Sequence, residues 1–297
     1  MTPSTILLIL LSAFFHAFWN YYAKSSKSTQ IFFFWIGVFT LCLTLPVFVV
    51  RPPSIPPKVL VYVIASGLVH FFYWYSLGRA YTLGEISFVY PIARSAPAFV
   101  PLFAFLFLNE SISSQGLVGI FCVVLAVYLF QRRGDDVTFK SILRYARKPD
   151  SIWAYSTLGT VILYSLIDKQ GMTELHALSN KSAIWGALTY YLAEGCIALV
   201  MYNTYIIFQF RWKKVAEIGR LEWKQAITAT IMAMFSYTVI LSLLMTEKVS
   251  YIVALRQCSV VFAVLFGSYK LKESGLRLRL VGAALMVFGM FLISMTG

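Results

Sequence analysis

Charge is what this sequence has least of. Charged residues make up only 12% of its 297 positions, against about 25% in an ordinary soluble domain. A water-soluble particle of this size cannot be coated with half the usual charge, so a cytosolic enzyme and a disordered polar tail are both excluded. Acidic residues are the scarcer sign, 12 against 25 Lys and Arg, for a net charge of +13. That excess would suit polyanion binding if it were concentrated. The basic residues instead fall in short clusters between apolar stretches, which excludes a nucleic-acid module and suits positive-inside membrane topology. Cysteine is sparse too. Cys42, Cys122, Cys196 and Cys258 each lie within an apolar run, and no pair has the spacing of a disulfide framework or a zinc site. Also missing are His-Glu-x-x-His, Gly-x-Ser-x-Gly, Walker and EF-hand motifs. Asp135-Asp136 is an isolated pair, short of the carboxylate-rich motif of an intramembrane prenyl-transfer enzyme. These absences argue against an enzyme, a resident metal and a cofactor. Polar sequence of any length occurs only at 132–150 and 209–222, and neither segment could hold a domain. Function must therefore reside in the apolar part.

Apolar sequence is abundant, with 59% hydrophobic residues and a mean hydropathy of +0.75. A spanning helix needs about 20 mostly apolar residues. Ten such stretches are present, near 5–23, 30–50, 59–80, 85–108, 113–131, 152–170, 182–208, 223–245, 249–269 and 276–296. They are too long, and alternate too little, for the strands of an outer-membrane barrel. The first has no Lys or Arg ahead of it and no small-x-small cleavage site, so it reads as the first helix rather than a secretory signal.

Sliding the sequence by 163 residues lays 85–130 on 248–293 without a gap. Ser87 meets Ser250, Glu110-Ser111 meets Glu273-Ser274, and Leu117-Val118-Gly119 meets Leu280-Val281-Gly282. The shift extends back to Trp74 and Tyr237, whereas helices one and two align less clearly with six and seven. Each repeat thus holds five helices, 1–131 and 152–297, joined by a basic polar loop at 132–151. Five is odd, so the second copy starts on the opposite side of the bilayer. The expected architecture is all-α and integral to the membrane, with two inverted five-helix repeats around a central cavity, a plan recurrent in secondary transporters. Of the 25 Lys and Arg, 18 fall in connections on one side and five on the side bearing both termini. The positive-inside rule then predicts external termini and a cytoplasmic 132–150 loop.

The fourth helix, Tyr90-Pro91-Ile92-Ala93-Arg94-Ser95-Ala96-Pro97, with Leu108-Asn109-Glu110 and Gly119 after it, resembles the EamA-type branch of the drug/metabolite transporter superfamily. So do Leu271-Lys272-Glu273 with Gly282 in the second copy, and His16-Ala17-Phe18-Trp19-Asn20 with Lys24 in the first helix. The resemblance implies a basket in which helices one to four and six to nine surround the cavity while the fifth and tenth pack outside. Two departures stand out. Members often have cytoplasmic termini, contrary to the charge count, and Val260 and Val264 stand where Pro97 and Pro101 would repeat.

Charge inside hydrocarbon costs about 2.5–3.5 kcal/mol per group on insertion scales and marks function by default. Arg94, Glu194 and Arg256 lie well away from helix ends, and Arg94 aligns with Gln257, one place past Arg256. Tyr90, Arg94, Pro97 and Pro101, spaced by four, three and four, share one face if the helix is continuous. Arg94, with Arg256, is expected to bind a carboxylate, phosphate or phosphonate through its planar fork. Glu194 is expected to hold an amine or carry a coupled proton. The plainer alternative is an internal ion pair between Glu194 and one of these arginines. His16 and His70 lie at similar depths and suit proton transfer or a hydrogen-bonded structural role. Trp19, Asn20, Tyr73, Trp74 and Tyr237 are candidates for an aromatic lining. Trp153, Trp212 and Trp223 read as interfacial anchors, and Glu110 and Glu273 as residues that fix the turn to the next helix.

The reading is a multi-pass protein of the cell membrane (the inner membrane, if bacterial), a secondary transporter for a small polar metabolite bearing an anionic or zwitterionic group. An amino acid or aminophosphonate would fit. Its partners are then the solute, the lipid bilayer and a coupling proton or counter-solute, with no nucleic acid, and a monomer suffices. The alternative is a membrane-embedded enzyme or lipid-handling protein acting on a phosphate head group.

Overall fold

A computed structural model describes residues 1–52, 54–83, 92–93, 95–131, 151–178, 182–259 and 276–295. Ten α-helices and no strand occur among the described residues. They are α1 (Pro3–Ser25), α2 (Thr29–Val50), α3 (Pro57–Leu83), α4 (Ala96–Leu108), α5 (Ser114–Gln131), α6 (Ser151–Leu178), α7 (Ala183–Gln209), α8 (Trp212–Leu244), α9 (Val249–Leu255) and α10 (Leu276–Ser294). Five of these, α1, α2, α3, α7 and α8, are long and apolar enough to cross a membrane. Leu7, Val61, Phe107, Phe121 and Phe208 all point outward and are more than half exposed, a lining that suits lipid tails and not water.

Local chemistry sets the helix ends. The Thr2 hydroxyl accepts the Thr5 N–H at 3.2 Å, and Pro3 opens α1, where its missing donor is harmless. Asn109 closes α4 in the left-handed region at φ 51°, which its short polar side chain tolerates.

Four boundaries differ from expectation. Helix six continues past 170 to Leu178, because Gly171, Met172 and Leu175 form a buried stripe beneath a polar outer face. Helix eight starts at Trp212 and not 223, so the polar segment 209–222 is largely helix. Val215, Ile218 and Gly219 face inward there while Lys213, Lys214 and Arg220 stay exposed, an amphipathic pattern that block-averaged hydropathy misses. Helix nine is interrupted at Arg256–Gln257, where Gln257 N–H bonds the Ala254 carbonyl and Ser259 N–H the Arg256 carbonyl. These are tightened i−3 bonds in place of α-helical ones. Helix four begins at Ala96 with Ser95 as its N-cap. Of the face expected to run from Tyr90 to Pro101, Pro97 and Pro101 lie on this helix, and Tyr90 and Arg94 lie outside the described residues.

The main pairings are α5 with α10, α3 with α6, α1 with α8, α3 with α7, α2 with α8, α2 with α7 and α7 with α8. Exchanging helix n for n+5 maps the first six onto one another, whereas α7 with α8 has only a slighter counterpart in α2 with α3. At the α5–α10 contact, a Cβ on Gly119 would stand 2.8 Å from the Gly289 carbonyl, and one on Gly289 2.7 Å from the Gly119 carbonyl. Backbones touch there, so neither position admits a side chain. Two apolar cores form. One gathers α4, α9 and the inner faces of α6 and α7; the other gathers aromatic residues of α1, α2 and α3 with α8.

Candidate functional site

Polar groups concentrate between the two cores. Helix α3 presents Ser66 and His70 one turn apart, so both project from one face. Helix α6 adds Asp168, fully buried, and α7 adds Glu194, 1% exposed. Ser66 Oγ lies 2.5 Å from Asp168 Oδ1, 2.8 Å from Glu194 Oε2 and 3.1 Å from His70 Nδ1. His70 Nδ1 is 2.8 Å from Glu194 Oε2 and 3.0 Å from the Ser66 carbonyl. Asp168 also accepts the Tyr237 hydroxyl at 2.5 Å and the Tyr190 hydroxyl at 3.2 Å. Tyr164 stacks on His70 with ring centroids 4.3 Å apart.

A second group stands on α1 and just beyond α9. His16 Nδ1 accepts the Trp19 indole N–H at 3.1 Å and faces the Arg256 guanidinium at 3.1 Å, while Asn20 donates to the His16 carbonyl at 2.8 Å. Tyr237 connects the two groups, since its hydroxyl reaches Asp168 while Arg256 lies over its ring, 5.4 Å from the centroid.

Two adjoining cavities separate these walls, each of about 60 Å³. His16, Trp19, Thr40, His70, Tyr73, Trp74, Tyr164, Tyr191, Glu194, Tyr237 and Arg256 are among those lining the first. The second shares His16, Tyr73, Tyr164 and Arg256 and adds Asn20, Thr157, Ser165 and Gln257. Each volume is several times what a buried water needs but below the roughly 300–1,000 Å³ of a pocket that holds a drug-sized ligand.

Residues 3–132 match the profile of the EamA-like transporter family. A solved crystal structure superposes with a TM-score of 0.73 at 13% identity, covering 99% of this chain and 98% of its own. No curated protein sequence matches the chain.

The match over residues 3–132 is to a family of membrane transporters, and the crystal structure extends the likeness of fold, though not of activity, over 99% of the chain. Trp19, Asn20, Tyr73, Trp74, Tyr237, Arg256, Gln257, Glu194, His16 and His70, singled out in the sequence, all line one cavity or the other. Tyr90 and Arg94 lie outside the described residues, as do Glu273, Val260, Val264 and the 132–150 loop. The anticipated Glu194–arginine pair does not form with Arg256: Glu194 pairs with His70, and Arg256 faces His16. Glu110 does more than fix its own turn. Its carboxylate accepts the Val249 N–H at 2.8 Å, the Ser250 N–H at 3.2 Å and the Ser250 hydroxyl. It therefore caps α9, 139 residues farther along the chain, as a carboxylate at a helix N-terminus should.

Asp168 is the residue that hydropathy reading missed. The apolar block ends at Asp168-Lys169, which reads as a helix terminus. In the fold, Lys169 caps the end of α8, donating to the Leu244 and Glu247 carbonyls at 2.8 Å each, and α6 continues. The signal available was the Gly171, Met172, Leu175 stripe beyond it. His70, Asp168 and Glu194 have donor atoms within 4.8 Å of one another, the one set among the described residues that could converge on a metal ion. The Ser66 hydroxyl already occupies the centre of that set, where an ion would sit, so the arrangement fits hydrogen bonding better than coordination.

Proposed function

We propose that the protein is a secondary transporter that moves a small polar metabolite with an anionic or zwitterionic group, such as an amino acid or aminophosphonate, by alternating access. One observation carries this reading: one of the two cavities is lined by Arg256 together with Glu194 and His70, with aromatic rings around them. In this assignment Arg256 takes the anionic group and Glu194 the ammonium. Trp19, Trp74, Tyr73 and Tyr164 shape the remainder. His16 belongs with the arginine rather than with proton transfer, because its Nδ1 lone pair is directed at two obligate N–H donors. Arg94 is retained as a second anion-binding candidate on sequence grounds.

Uptake of labelled amino acids and aminophosphonates into sealed proteoliposomes tests the proposal. Arg256→Lys keeps the charge but loses the forked donor and should weaken apparent affinity by about 1–3 kcal/mol, with Arg256→Ala weaker still. Unaltered kinetics in a folded Arg256→Ala protein would remove the arginine from the site. No uptake of any solute, with head-group turnover instead, would favour the lipid-handling alternative. For orientation, an impermeant thiol reagent on intact cells should label a cysteine placed at Ser4 and spare one at Ser141; the reverse result would invert the topology.

A further inference from the structure

We propose that Asp168 and Glu194 hold a single exchangeable proton between them through Ser66, and that this proton is the ion whose movement drives transport.

The argument begins with a count of hydrogens. Ser66 Oγ stands 2.5 Å from one carboxylate and 2.8 Å from the other, and a hydroxyl has one hydrogen to give. If that hydrogen points at Asp168, the contact with Glu194 needs a hydrogen from Glu194. If it points at Glu194, the contact with Asp168 needs one from Asp168. Neighbouring donors do not fill the gap. His70 Nδ1 is 3.1 Å from Ser66 Oγ but nearer to Glu194 Oε2 at 2.8 Å and to the Ser66 carbonyl at 3.0 Å, and the Tyr237 and Tyr190 hydroxyls face Asp168, so none places a hydrogen between Ser66 Oγ and a carboxylate oxygen. Without it, two oxygen lone pairs would oppose each other in a buried, weakly polarisable setting, at the cost of an unmade hydrogen bond. One proton shared between the acids completes the network.

The site also has an exit. Glu194 lines the cavity, whereas Asp168 sits behind it. Thr40 and Tyr191 line the same cavity as Glu194, so a water held there is placed to take the proton. On release, one O–H bond of the acid pair breaks and the proton passes to that water. The pair is left as two carboxylates beside His70. The other titratable groups facing the cavity are His16 on α1, Tyr73 on α3, Tyr164 on α6, Tyr191 on α7, Tyr237 on α8 and Arg256 beyond α9. Tyr190 abuts Asp168 from behind, and Lys169 is turned to the end of α8. Tyr237 carries the coupling: a solute that draws Arg256 off its ring disturbs the hydroxyl that supports Asp168.

The use of this proton rests on the transporter reading, but its presence can be measured without any solute. Full-length protein in lipid bilayers should show, in infrared difference spectra between low and high pH, the C=O stretch of one protonated carboxylic acid. Glu194→Gln and Asp168→Asn should each abolish it, because an amide supplies the hydrogen Ser66 needs and leaves the remaining acid ionised. Ser66→Ala keeps both acids and should move the band. Absence of the band from folded wild-type protein, or its survival unchanged in either acid variant, overturns the proposal without touching the substrate assignment. Uptake that ignores an imposed pH gradient but follows a sodium gradient overturns the coupling role. A band with no transport of any solute would instead count against the transporter reading alone.

Discussion

Two helix crossings that exchange when n becomes n+5 have opposite chemistry. Where α1 meets α8, Ser12 donates to the Ser236 carbonyl at 2.8 Å and Ser236 to the Ser12 carbonyl at 2.9 Å, a reciprocal and neutral clasp. Where α3 meets α6, Ser66 again supplies the hydroxyl, but its acceptor is Asp168, with Glu194 and His70 close behind. Farther along that crossing Thr157 donates to Ser76 at 3.1 Å. The same packing can therefore serve either as a closed seam or as a reactive one. The difference lies in what the serine faces: a backbone carbonyl satisfies it completely, whereas a carboxylate brings a charge that must be managed.

The comparison breaks most readily at Asp168. Asp168→Ala removes the acceptor of Ser66, Tyr190 and Tyr237 together and should cost about 3 kcal/mol or more in thermal unfolding in detergent. A loss no larger than that of the serine variants below would mean the charged crossing is not special. Gly67→Ala comes next, because its Cβ would stand 2.8 Å from the Glu194 carbonyl and from Ile197 Cβ. Pushing α3 from α7 should cost about 1–3 kcal/mol and impair transport through the His70–Glu194 contact. Normal transport with lowered stability would separate packing from chemistry at that position.

The smallest effect belongs to the neutral seam. Ser12→Ala and Ser236→Ala should each cost about 1 kcal/mol. The double variant should lose less than the sum, since both single changes break the same clasp. Dependence of transport on pH should stay as in the wild type. A changed pH profile in Ser12→Ala would show that the two seams are not independent.

Much of this site was legible because intramembrane polarity is rare. Glu194, Arg256, His16 and His70 stand among apolar neighbours, and the 163-residue shift pairs Trp74 with Tyr237. Asp168 was hidden by its neighbour: Lys169 made the pair look like a helix end, and only the distant α8 carbonyls reveal that the lysine is spoken for. Ser66 carried no local signal, since serines are common in spanning helices and its partners lie 102 and 128 residues away. The amphipathic start of α8 was invisible to average hydropathy for the opposite reason, its exposed lysines outweighing a real inner face.

The main helix pairings also bear on how the protein is made. Most of them join one half of the chain to the other. As the first five helices leave the ribosome, Ser66 and His70 have yet to meet Asp168 and Glu194, and Glu110 awaits Val249 and Ser250. The newborn first half must therefore wait in the bilayer with polar groups unmet, and the translation of α6 through α9 ends that wait. Biogenesis, rather than the finished fold, is when this chain is most exposed to quality control.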